Sequence, residues 1–165
     1  MQSVSRFKGL IKPFVLWLAG MALLSMSVSE QVYAEEDSLR EFKPVLSEEF
    51  KVMLRTASVE QGEMIFMRKC SSCHDHKKIG GHGKGPHLWN VLGRQAGTSP
   101  GFYFSKAMSG SGHRWSLANI NYYLTNTERA VPGRIMEFRG IRQDEVRADL
   151  LAFLRTLNDN PPPLF

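Results

Sequence analysis

Only two cysteines, Cys70 and Cys73, stand in the 165 residues. At most one disulfide could join them, and a loop that short does little to stabilise a chain of this size, so a disulfide-built scaffold is excluded. No apolar stretch reaches the ~20 residues of a membrane-crossing helix. Phe14 to Val28 comes nearest, with 15 residues before the polar Ser29-Glu30-Gln31. Internal repeats and low-complexity tracts are missing, and no segment shows the alternation of a half-buried strand. Charge of one sign is not in great excess, with 21 basic residues against 16 acidic and a net charge of +5; no nucleic-acid partner is expected. The remainder, 42% hydrophobic and 10% aromatic, has the length and composition of one ordinary domain. The two cysteines therefore need a chemical reason.

The first 34 residues have the form of an export signal: Arg6, Lys8 and Lys12 make a basic start, the apolar stretch follows, and Val32-Tyr33-Ala34 sets small residues before a cut. Residues 1–34 are expected to be a signal peptide cleaved after Ala34, the alternative being an uncleaved anchor on the periplasmic side of the inner membrane. Residues 35–57 form an N-terminal extension. Within it Ser47-Glu48-Glu49 resembles a helix start, and Phe50, Met53 and Leu54 share one face, which leaves a short docking helix and an irregular extension both open. The folded domain is expected over 58–158, followed by a flexible tail at 159–165, because Pro161-Pro162-Pro163 cannot continue a helix.

Inside the domain, Ser58 with Gln61 three residues on predicts a helix start, and Gly62 within that helix marks a close approach of another backbone or ring. The contact expected there is with Leu150 and Phe153 of the last helix. From Ile79 to Gly112 recurring glycines with Pro86 and Pro100 predict a long loop, with one helical turn near Ser105 to Met108. So long a loop implies something large to wrap. A second helix is predicted from Ser116 to just before Pro132-Gly133, and a last one from Gln143-Asp144-Glu145, with Val146, Leu150, Phe153, Leu154 and Leu157 as its buried stripe.

Cys70-Ser71-Ser72-Cys73-His74 is the haem-attachment pattern, two thiols spaced for the two vinyl groups of one haem with an imidazole beside them for the iron. A thioredoxin-like pair would begin a helix after a strand, whereas this pair ends a helix in a chain without strands. A zinc site would want four ligands, and His76, His82 and His87 follow no zinc spacing. With His74 on one axial position of the iron, the residues alone leave the other open among Met136, the remaining histidines and the other methionines.

The chain resembles the class I cytochromes c, of the soluble monohaem mitochondrial and bacterial type, from about Val59 to Asn158. The resemblance rests on Gly62, Phe66, Lys69 to His74, Gly85-Pro86-His87-Leu88, Gly93-Arg94, Pro100-Gly101-Phe102, Trp115, Tyr123-Leu124, Pro132 to Phe138 and Arg147-Ala148-Asp149-Leu150, and on the 62-residue interval from His74 to Met136. It implies an all-α fold with about three main helices and long loops around one covalently attached haem c. It further implies Cys70 and Cys73 as the thioether residues and His74 and Met136 as the axial ligands of the iron. The Pro86 carbonyl would accept the imidazole N–H, Arg94 and Trp115 would steady the propionates, Tyr123 would donate toward the methionine side, and His82 would bond across loops. His76, His87 and His113 read as surface or loop residues. The chain departs from the family at Phe104, where a propionate-bonding tyrosine is common, at Met108, and at Arg134-Ile135; Tyr103 is the candidate to replace the lost hydroxyl.

A site closed by two protein ligands transfers electrons, whereas an open one binds oxygen or peroxide. The function implied is therefore an exported one-electron carrier, not an enzyme, between respiratory or other redox partners such as a membrane oxidase, a reductase complex or a soluble acceptor. Membrane contact would come only through those partners unless the leader is retained. The alternatives are a haem enzyme, a gas-binding or sensor protein with a labile sixth ligand, or the haem subunit of a larger oxidoreductase. Lys69, Lys77, Lys78, Arg134, Arg139 and Arg142 are expected to form a basic docking rim.

Overall fold

Serine sets most of the helix starts. Ser47, Ser58, Ser105 and Ser116 hold extended backbone angles, and each hydroxyl accepts the N–H three residues on, at 3.1–3.2 Å. Such a cap satisfies one of the donors that a helix N-terminus leaves free and is worth ~1 kcal/mol. The computed structural model describes residues 36–165, so the expected signal peptide, 1–34, lies outside the described residues. The helices are α1 (Glu48–Thr56), α2 (Val59–Lys69), α3 (Lys106–Ser109), α4 (Leu117–Thr125), α5 (Thr127–Ala130) and α6 (Asp144–Thr156). Among the described residues strand pairing is confined to two isolated bridges, His74 with His82 and Gln95 with Arg114. The fold is all-α, its three main helices being α2, α4 and α6.

Two boundaries differ from expectation. The helix predicted from Ser116 to Pro132 is broken at Asn126, whose backbone is extended (φ −158°) and whose side chain caps α5 through the Arg129 N–H at 3.1 Å. The extension does form a helix: α1 buries Phe50 and Leu54 and packs on α6. Upstream of it, Leu39 is buried and donates its N–H to the Ala130 carbonyl at 2.8 Å, and the Tyr122 hydroxyl donates to the Asp37 carbonyl at 2.7 Å. Residues 159–165, expected as a flexible tail, are fastened at several points: the Pro162 carbonyl accepts from Arg155 Nε at 2.7 Å, Arg55 lies 4.6 Å from the Phe165 ring centroid, and Asp159 pairs with Lys78 at 2.7 Å.

The α2–α6 crossing is the centre of the fold. A side chain at Gly62 would collide with the Asp149 carbonyl oxygen and come within 2.8 Å of Phe153 Cβ. The expected Phe153 contact is therefore present, and the closest approach of all is to the Asp149 backbone. Asp149 also turns its carboxylate to the start of α2, accepting the Ser58 N–H at 2.8 Å. Phe66, Leu150 and Leu151 are almost wholly buried at this crossing. Each such side chain stabilises the fold by ~1.5–3 kcal/mol.

Candidate haem-iron site

The last turn of α2 delivers the cysteines. Cys70 N–H closes the helix on the Phe66 carbonyl at 2.8 Å, and the N–H groups of Cys73 and His74 both reach back to the Cys70 carbonyl, at 3.0 and 2.9 Å. Both thiols are free and half-buried. Burial pushes the Cys70 thiol up to about 11, with neighbouring Lys69 opposing it, so it is a neutral thiol at neutral pH, unlike the lowered pKa of a redox cysteine.

His74 is fixed by the loop that follows. Its Nδ1 lies 2.7 Å from the Pro86 carbonyl; a carbonyl only accepts, so Nδ1 carries the proton and the Nε2 lone pair is left for a metal. Burial holds the imidazole below its usual pKa against that hydrogen bond, which keeps the ring neutral. Gly85 is buried against the ring, where a Cβ would lie 2.7 Å from Nδ1 and 2.8 Å from Nε2. Its N–H donates to the Cys73 carbonyl at 2.8 Å, bringing the loop back over the attachment turn. The loop is braced in turn by His82, whose Nε2 donates to the Pro100 carbonyl at 2.8 Å while Nδ1 accepts the His87 N–H at 3.0 Å. This is the cross-loop role expected of it.

Met136 comes from the loop between α5 and α6. Val131 to Arg134 make a tight turn, with Pro132 second, Gly133 third at φ +79° and the Arg134 N–H on the Val131 carbonyl at 3.1 Å. Glycine suits that left-handed third position. The half-buried Met136 sulfur accepts from the Tyr123 hydroxyl at 3.3 Å. Burial pushes the Tyr123 phenol up to about 12, opposed by Arg134, so it remains a donor across the physiological range.

The other expected contacts divide. Arg94 and Trp115 come together on the paired segments around Gln95 and Arg114: Trp115 N–H donates to the Arg94 carbonyl at 2.9 Å. The Arg94 guanidinium donates to the carbonyls of His87 and Trp89 at 3.0 and 3.3 Å, and has no carboxylate partner among the described residues. Trp115 is buried edge-on to Tyr123, with ring centroids 5.2 Å apart. Tyr103, the candidate to replace the missing hydroxyl, is 94% exposed, while Phe104 packs against Phe102. Of the histidines read as surface or loop residues, His76 and His113 lie in loops but are half-buried: His76 packs on Phe66 and Phe153, and His113 sits 4.3 Å from the Trp115 ring with both nitrogens sealed, burial pulling its pKa down to about 4. The basic rim is thinner than expected. Arg134 is largely covered and paired with Glu128, and Lys78 is paired with Asp159.

Sequence reasoning missed Arg147, which is 4% exposed and donates to the carbonyls of Ile141 and Arg142 at 2.8 and 2.9 Å and to Asn121 Oδ1 at 2.8 Å, holding the far end of the Met136 loop to α4. Its signal was available: an arginine three residues before Leu150 lies on the apolar stripe of α6.

Two free thiols at the end of one helix, a neutral imidazole with its tautomer fixed, a thioether held by a phenol, and a glycine cradle against the imidazole are the donor set and the room that a covalently attached haem requires. The cytochrome c family model matches residues 59–158. The chain is 40% identical over 119 residues to a cytochrome c homolog of Bradyrhizobium diazoefficiens, an alignment covering 72% of this chain and 64% of that relative, so the chain spans just under two thirds of that protein. It is 42% identical over 95 residues to the cytochrome c of Chlamydomonas reinhardtii (58% of this chain, 85% of the relative) and 40% over 97 residues to that of Sesamum indicum (59% and 87%). The chain belongs to the class I cytochrome c family. Its cofactor is one covalently bound haem c, and its activity that of a haem-based electron carrier working with redox partners.

Proposed function

We propose that the protein is an exported monohaem carrier of single electrons, with Cys70 and Cys73 as the thioether residues and His74 and Met136 as the axial ligands. The observation that supports this most is the pairing of two conditioned donors: an imidazole whose Nδ1 is spent on Pro86, and a thioether sulfur bonded to Tyr123. Bound haem supplies a one-electron ferric/ferrous couple. The chain's residues would do the rest: His74 presents a neutral nitrogen, and Met136 would occupy the position that an external molecule such as oxygen or peroxide would otherwise take. Methionine as the second ligand raises the potential. Arg94, a half-buried cation without a carboxylate partner among the described residues, and Trp115 beside it suit the carboxylates of the haem edge.

The leader-like residues 1–34 support export to the periplasm, with cleavage after Ala34, and electron exchange there with a membrane oxidase, a reductase complex or a soluble acceptor. Among the described residues no helix is long and apolar enough to cross a membrane. The test is the optical spectrum of the protein isolated from the periplasm, in both oxidation states, with N-terminal sequencing. A low-spin six-coordinate spectrum, reversible one-electron reduction and a chain beginning at Glu35 are expected. A high-spin ferric spectrum that shifts on adding cyanide at once would favour the haem enzyme or sensor instead.

A further inference from the structure

Arg134 is a cation that the fold encloses two residues before Met136. Only 12% of its side chain is exposed, and its Nε and Nη1 both meet side chains of α5. Nε donates to Thr127 Oγ1 at 2.6 Å, and Nη1 meets the Glu128 carboxylate. Each partner then reaches a second point on the same loop. Thr127, wholly buried, donates its hydroxyl to the carbonyl of Phe138, two residues after Met136. Glu128 accepts the Gly133 N–H through its other oxygen at 3.3 Å. Three side chains thus tie Gly133, Arg134 and Phe138 to one turn of helix, on both sides of Met136. A guanidinium is suited to this, because its planar fork satisfies a hydroxyl and a carboxylate at once in a fixed relation, whereas an ammonium is a single point of charge on a flexible stem. Tyr123 acts at a different point, its phenol donating to the Met136 sulfur itself.

We propose that Arg134, with Thr127 and Glu128, is a positioning residue for the sixth iron ligand: the brace fixes the backbone on either side of Met136 and so holds its sulfur on the iron against competing ligands. The proposal rests on the ligation of Met136 proposed above. The brace acts through geometry, and its loss is expected as greater ligand mobility.

The test uses the ferric holoprotein and exogenous imidazole as the competing ligand. Arg134→Ala is expected to bind imidazole ~10-fold faster or tighter, the loss of charged hydrogen bonds at one site, and to lose the iron–sulfur charge-transfer band on heating well before the far-ultraviolet helix signal falls. Arg134→Lys should recover only part of the wild-type behaviour, and Glu128→Gln, a change at an exposed carboxylate that spares the core, should move imidazole binding in the same direction by less. Unchanged imidazole binding in Arg134→Ala, or in Glu128→Gln if the alanine variant does not load haem, would overturn the proposal. So would band and helix signal falling together by equal amounts, which marks a merely structural arginine. Should Met136→Ala keep the band, the ligation of Met136 is what has failed, and that variant tells the two failures apart.

Discussion

His74 follows Cys73 directly, so the proposed thioether anchor would also bring the imidazole to the iron, and the ring is oriented by one hydrogen bond to Pro86 and by one glycine at position 85. Met136 stands on a loop far along the chain, and its placement depends on the turn at Pro132-Gly133, the Thr127–Arg134–Glu128 brace, the Tyr123 hydroxyl and the grip of Arg147 on Ile141 and Arg142. The contrast separates two ways of holding a metal ligand. A ligand beside a covalent anchor needs little support and tolerates little change; one on a loop needs many weak ties, and those ties can be made by other residues. Arg134 and Ile135, two of the positions at which the sequence departs from the family it resembles, lie on this loop.

The comparison can be broken first on the cysteine side. Gly85→Ala places a carbon inside the space of the imidazole ring and should cost ~1–3 kcal/mol by overpacking, read from denaturant unfolding of the holoprotein. A variant as stable as wild type, with an unaltered spectrum, would mean that the glycine does not cradle the ring. Gly62→Val should cost at least as much, for the same reason at the α2–α6 crossing, and serves as the control remote from the iron.

A smaller effect is expected on the methionine side. Tyr123→Phe removes one hydrogen bond to the Met136 sulfur, leaves the sulfur a better donor to ferric iron, and should lower the potential by roughly tens of millivolts, as a bond of ~0.5–1.5 kcal/mol does in a one-electron couple. Voltammetry that shows a rise, or no shift, would remove this bond from the account.

The surface should respond least. With Arg134 covered and Lys78 paired, steering of an acidic-faced acceptor falls to the exposed Lys69, Lys77, Arg139 and Arg142. The second-order rate should decline as salt rises, since exposed charges are screened over ~8 Å at physiological ionic strength. Lys69→Glu should flatten that decline and Arg134→Gln should hardly alter it. The Asp159 carboxylate, pulled down to about 2 by hydrogen bonds from Lys78 and Asn90, contributes stability above its ordinary 3.8 that is lost as pH falls toward 2. The unfolding midpoints of wild type and Asp159→Asn should therefore differ at pH 6 and converge in that acid range; a constant gap would show that the tail is not held by this charge.

The cysteine side was legible because its chemistry is local: five consecutive residues name the cofactor, and the serine caps of α1 to α4 announce themselves by type and spacing. On the other side Met136 was named only through its resemblance to a family position, since a methionine among apolar neighbours looks like core filling. Thr127, Arg134, Glu128 and Arg147 were not legible as supports, because hydrogen bonds between a helix turn and a later loop leave no periodic trace. Nor was the break at Asn126, where a capping side chain outweighs a continuing apolar pattern.

Central to all of this is the closure of the iron by Met136, and the ferric absorption spectrum of wild-type protein beside Met136→Ala tests it most directly. Wild type should show the weak iron–sulfur charge-transfer band; the variant should lose it, bind cyanide or imidazole readily, and fall in potential by on the order of 0.1 V or more. A band that survives in Met136→Ala would contradict the assignment and return the sixth position to another methionine or histidine.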